Sequence, residues 1–145
     1  MAFIPVNLDD AVEPQPVGEG SYNLQITKCD LQDSKAGKPM FRVSIGFPDE
    51  PNTPNMTQFI SLPSEEDEPS TAEFKALMLK RFLHLFNISY DPKGIDTEKM
   101  AMEMVGASAQ GAHVTLGEPN ENGDVYNQLT VPRIREEGKS KPRRR

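Results

Sequence analysis

Few side chains in this sequence are of a kind that could do chemistry, and their spacing narrows what that chemistry could be. His84 and His113 lie far apart, one on a predicted helix and one at a predicted strand start, so each reads as a structural or surface group rather than a ligand. Glu65, Glu66, Asp67 and Glu68 are consecutive carboxylates. They lack the spaced oxygen ligands and the glycine of a calcium loop, so the run reads as a solvated charge cluster. Cys29 is the single cysteine and can form neither an intramolecular disulfide nor a multi-thiolate metal site. Alternation puts it on the polar side of its strand, with no activating neighbour in sequence. There is no glycine-rich phosphate loop with a lysine, no nucleophile elbow and no paired-cysteine spacing. The expectation is a protein without enzymatic activity, metal or cofactor.

Binding chemistry is better represented. "SKAGKPMFRVSI", residues 34–45, sets Lys35 and Lys38 around a glycine and then alternates strictly. Phe41, Val43 and Ile45 point one way, and Met40, Arg42 and Ser44 the other. With Lys28 close by, this corner carries positive charge on a turn and on the outward face of a strand. A polar, hydrogen-bonding, mildly cationic surface suits a nucleic-acid strand laid across it. Single-strand binders add aromatic platforms on which bases stack. The candidates are Phe59, out of phase with Met56, Ile60 and Leu62, and Tyr126 on the last hairpin. Arg133 and Arg135 open a basic tail whose arginines could grip phosphates and make binding salt-sensitive.

These residues must be positioned by short elements. Residues 1–19 have no clear period and read as an N-terminal arm lying over the domain or loose in solvent. "SYNLQITKCDL" is a half-buried strand with Tyr22, Leu24 and Ile26 inward. "PMFRVSIGF" is the second strand and "MTQFISL" the third. Ser70 and Glu73 form a capping box ahead of the helix "TAEFKALMLKRFLHLF", whose apolar face holds Phe74, Leu77, Met78, Phe82, Leu85 and Phe86. A shorter helix, "TEKMAMEMV", precedes the strands "AHVTL" and "VYNQLTVPRI", with Asn122-Gly123 as the hairpin signal between them. Five short strands with a helix between the third and fourth is the order of the OB-fold, a five-stranded Greek-key barrel. An open five-stranded sheet with one packed helix gives the same string. The domain spans 20–135, and 136–145 is a basic tail read as disordered.

Composition limits the partners. The chain has 145 residues and a formal charge of -6, but the charge is uneven. Positions 1–132 hold nine basic and twenty acidic residues, whereas seven basic residues stand against two acidic ones from Arg133 onward. Net charge argues mildly against nucleic acid, where a basic domain is the usual footprint. Phosphate contact, however, depends on the field within about 10 Å at ordinary salt. No apolar run approaches the roughly 20 residues of a membrane span, and "MAFIPVNLDD" lacks the pattern of a secretory signal. A soluble protein of a reducing compartment is expected, with no membrane partner; a homo-oligomer is compatible with this reading. A second class of function is a virion component or protein-interaction module using an OB-like barrel.

"PVGEGSYNLQITKCDLQDSKAGKPMFRVSI", the central "FKALMLKRFLHLFNI" and the closing "GASAQGAHVTLGEPNENGDVYNQLTVPRI" carry a resemblance across residues 16–135. The chain resembles the small OB-fold single-stranded-DNA-binding proteins encoded by tailed bacteriophages. The resemblance implies sequence-independent binding of single-stranded DNA in phage DNA replication and recombination. It also implies replication or recombination proteins as further partners, and the host-cell cytoplasm as the location. It assigns DNA contacts to the Lys35–Lys38 turn and the face carrying Arg42. Many such proteins end in an acidic, partner-recruiting tail, and this chain departs from them by ending in "KPRRR".

Overall fold

The computed structural model describes residues 2–134; Arg135 and the tail 136–145 lie outside the described residues. Five strands form one antiparallel sheet: β1 (Gly20–Asp33), β2 (Pro39–Gly46), β3 (Met56–Ser61), β4 (Ser108–Leu116) and β5 (Asn127–Leu129). Two helices, α1 (Pro69–Leu85) and α2 (Thr97–Met104), come between β3 and β4 in the chain. The sheet order is β3-β2-β1-β4-β5, and the edge strands β3 and β5 approach each other. The sheet therefore curls into a nearly closed barrel, a shape consistent with an OB-like fold.

Strand β1 makes this curl possible. It pairs with β4 through Gly20–Gln25 and with β2 through Gln25–Asp33, and its register shifts between Tyr22 and Leu24 and again between Ile26 and Lys28. Such bulges sharpen the local bend and twist of a strand. On the opposite edge of β1, loop backbone extends the β4 pairing: Ile26 N–H donates to the Ala107 carbonyl, and Gly106 N–H to the Ile26 carbonyl, both at 2.8 Å. The alternation expected in β2 and β3 holds, with Phe41, Val43, Ile45, Met56, Ile60 and Leu62 all buried. Leu24, Ile26, Ala109, Ala112 and Val114 complete the sheet's contribution to the core. Gly46 closes β2 where a Cβ would stand 3.0 Å from Asn55 Oδ1 and 3.3 Å from Thr27 Cγ2, so only glycine fits without displacement.

Three sequence expectations are corrected. The second bulge reverses the parity of β1, so Cys29 shares the inward side with its partner Val43. Its Sγ lies 3.5 Å from Met104 Sδ, and burial, then the Asp30 charge, pushes the thiol up to about 11. The capping box does not form: α1 starts at Pro69 after Glu68, no side chain caps it, and Ser70 lies inside the first turn. Proline accounts for this start, since its missing N–H is harmless there. The buried stripe of α1 is Leu79, Phe82 and Leu83, continued by Phe86 just past its end, whereas Phe74 and Leu77 are exposed. The spacing is still helical, but the contact lies in the C-terminal half of the helix. By contrast, β4 and β5 do form the antiparallel hairpin that Asn122-Gly123 signalled, and the dipeptide lies within its loop. It sits in a local turn, with Gly123 at φ +83 and the Asn120 carboxamide oxygen accepting from the Asn122 and Asp124 N–H groups. That turn belongs to a longer loop, and β5 keeps only three residues.

Among the described residues, the arm is hydrogen-bonded to the domain at its C-terminal end. Gln15 N–H donates to the Asn52 carbonyl, and Asn127 exchanges hydrogen bonds with the Val17 backbone at 2.8 and 3.0 Å. Nearer the start, Phe3, Ile4, Val6 and Leu8 are exposed.

Candidate nucleic-acid interface

Strand pairing on β1, β2 and β3 builds an outward face of three short rows. Lys28 lies beside Ser44, and Ser44 beside Thr57; Asp30 lies beside Arg42, and Arg42 beside Phe59; Gln32 lies beside Met40, and Met40 beside Ser61. The middle row matters most, because it puts a guanidinium next to an aromatic ring on adjacent strands. Directly opposed side chains in an antiparallel pair have Cβ atoms about 5 Å apart. Arg42 is exposed and takes part in no ion pair among the described residues. Phe59 is 53% exposed, much for a ring of that size on a strand.

Phe59 also forms one wall of a groove of about 480 Å3 along the seam between β3, α1 and the segment after β5. Phe74, Met78, Leu129 and Val131 line it. The exposed Phe74, missed as a surface group in the sequence, is thus the second aromatic beside the open edge. Tyr126, 56% exposed, immediately precedes β5, the strand that approaches β3 across the seam. Its carbonyl accepts from Gly117 N–H at 2.9 Å, which fixes its backbone against the end of β4.

The lysines expected to cluster at the β1–β2 turn have different surroundings. The turn itself forms as its glycine requires. Gly37 adopts φ +79 and donates to the Ser34 carbonyl at 2.9 Å, and Ser34 N–H donates to the Lys38 carbonyl at 2.7 Å. Lys35 is exposed on it. Lys38 instead reaches Asp67 at 3.3 Å and Glu66 at 3.8 Å. Asp67 is the hub of a small network: its carboxylate is 4% exposed, accepts from Ser64 N–H at 2.9 Å, and takes Lys75 at 3.0 Å. The Ser64 hydrogen bond, followed by those from Lys75 and Lys38, holds the carboxyl below its ordinary range. One member of the acidic run is therefore structural. Lys28 pairs with Asp30 at 3.7 Å, both well exposed, an arrangement worth little in water.

Arg133 lies away from this turn, lining a polar cavity with Arg81 and His84 of α1. Arg81 was not picked out in the sequence, although its i, i+3 spacing from His84 puts the two on one helix face. His84 Nε2 is 3.1 Å from the Tyr90 hydroxyl, and His113 Nε2 is 3.5 Å from Glu19. Among the described residues, no three His, Cys, Asp or Glu side chains converge to hold a metal, and no helix is long and apolar enough to cross a membrane.

The site thus combines an open arginine, a stacking-sized ring beside it, hydroxyl and amide groups around them, and an apolar groove at the edge. No protein-family model and no curated protein matches the chain.

Proposed function

We propose that the protein binds single-stranded DNA without sequence preference and without enzymatic activity, using an OB-fold barrel, and that it serves phage DNA replication and recombination. The observation that carries this reading is the cross-strand pair Arg42–Phe59 on the outer β2–β3 face. In the OB-fold, that face and the β1–β2 and β4–β5 loops receive oligonucleotides. Here the two loops hold Lys35 and Tyr126. Arg42 would neutralise a phosphate while a base stacks on Phe59, a contact worth about 1–3 kcal/mol and open to any base. Lys28 extends the cationic track, and Lys38 adds less because its charge is already balanced by acids. Arg135 lies in the basic stretch that follows Arg133 and would add phosphate contacts.

The test is fluorescence anisotropy of a labelled oligo-dT at low and high salt. Binding that weakens steeply with salt is expected, because each neutralised phosphate releases condensed counterions. Absence of binding at low salt rejects the reading.

A protein-interaction role has its own support in the arm, where Phe3, Ile4, Val6 and Leu8 expose apolar surface. If that role is the main one, deleting residues 2–12 abolishes partner capture, whereas oligo-dT is not bound by either form.

A further inference from the structure

A cavity of about 560 Å3 opens between α1, the start of β4 and the segment after β5. Its polar lining is Arg81 and His84 from α1, Asn87 just beyond it, Ser108 and Gln110 from β4, and Arg133. Among the described residues no carboxylate lines it, although acidic residues outnumber basic ones in the chain. Ser108 and Gln110 share the outward side of β4 because Ala109 between them is buried.

The Arg81 Nε atom is buried, with no hydrogen-bond partner among the described residues. With almost no accessible surface, that atom is closed to the cavity, so an occupant meets Arg81 through its Nη groups. A guanidinium flanked by a second arginine, an imidazole and neutral amides matches an anion with several oxygens, and arginine binds phosphate oxygens in a planar fork. The two carboxamides and the serine could satisfy the remaining oxygens.

We propose that this cavity is a phosphate-ester site, distinct from the β2–β3 face. The phosphate could belong to a free nucleotide or to a nucleic-acid strand, and the two sources differ in what else they must fit. The proposal does not require that single-stranded DNA occupy the outer face.

The experiment follows the Arg81 Nε–Hε resonance in the full-length 15N-labelled protein, assigned with Arg81→Gln. Thymidine 5′-monophosphate should shift it saturably, while sodium chloride of equal ionic strength should not. Arg133→Gln, at an exposed position, should weaken that response about tenfold, or about 1.4 kcal/mol. Arg42→Gln with Phe59→Ala should leave it intact, which separates this site from the outer face. Three further probes identify the source. Equal affinity for the mononucleotide and a 5′-phosphorylated oligo-dT indicates a nucleotide, tighter binding of the phosphorylated strand indicates a strand end, and equally tight binding of the 5′-hydroxyl strand indicates an internal phosphate. The proposal is overturned if the resonance ignores the monophosphate. It is equally overturned if Glu136→Gln with Glu137→Gln moves the resonance while the monophosphate does not, since the acceptor is then the chain's own carboxylate.

Discussion

Two cations, Lys38 just before β2 and Arg42 within it, carry the same formal charge in opposite circumstances. At the hairpin end, Lys38 is drawn onto a nearly buried carboxylate that a second lysine and a backbone N–H also hold. In mid-strand, Arg42 stands in the open beside Phe59. The first arrangement ties the loop after β3 to both the hairpin and α1, so its charge serves the fold. The second leaves charge and ring available to a ligand. A positive residue in a sequence is therefore not yet a positive site; the acids folded around it decide.

The largest effect should come from the open mid-strand pair. Arg42→Gln with Phe59→Ala is expected to weaken oligo-dT binding at least about tenfold, given the worth of one stacked base. The thermal midpoint should stay unchanged because both side chains are exposed. Lys38→Gln should reverse that pattern, lowering the midpoint and altering affinity less than either outer-face substitution. Equal losses of affinity from both sites would erase the contrast.

Next in size is Asp67→Asn, read by thermal unfolding across pH. Because the folded carboxyl titrates below the unfolded value of about 3.9, its stabilisation is complete above that pH and disappears as pH falls through the folded value. The variant should unfold at a lower temperature at neutral pH and lose that part of the acid sensitivity. An unchanged acid profile would show that the network is not structural.

Cys29 tests the geometry that separates the two faces of β1. Its thiol is raised to about 11, so its contribution to stability is intact below the unfolded pKa of about 8.5 and is lost as pH climbs through the folded value. Cys29→Ala should remove that alkaline loss, and the native thiol should alkylate slowly at neutral pH. Fast alkylation would place Cys29 outward and the bulge elsewhere.

The smallest effect belongs to Asp30→Asn, which removes the acid opposite Arg42. Oligo-dT binding should tighten by less than about threefold at low salt, and the gain should vanish at high salt as screening shortens its range.

Legibility followed the range of the interactions involved. Alternation in "FRVSI" and "MTQFI" reflects a period of two that any pleated strand imposes, so the inward set and the exposed Phe59 were readable from residue types alone. The Gly37 turn and the helical spacing of α1 were readable for the same reason. Cys29 was not, because a single inserted residue reverses parity and nothing local marks where. The capping box failed because proline two positions after Asp67 begins the helix before Ser70 can cap it. Phe74 was assigned to the buried face and Arg81 was passed over because the helical period says which residues share a face, not how far along the helix the sheet makes contact.

By itself, then, the amino-acid order determined that the chain forms short alternating strands around a helix, and which side chains on β2 and β3 turn from the core. Those outcomes depend on backbone periodicity and the cost of leaving apolar groups in water. Only the tertiary structure decided that Lys38 is neutralised while Arg42 is open, and that Arg81, His84 and Arg133 line one cavity. Coulombic and hydrogen-bonding partners come from distant segments brought within a few ångströms by barrel closure, and that proximity has no local signature in the chain.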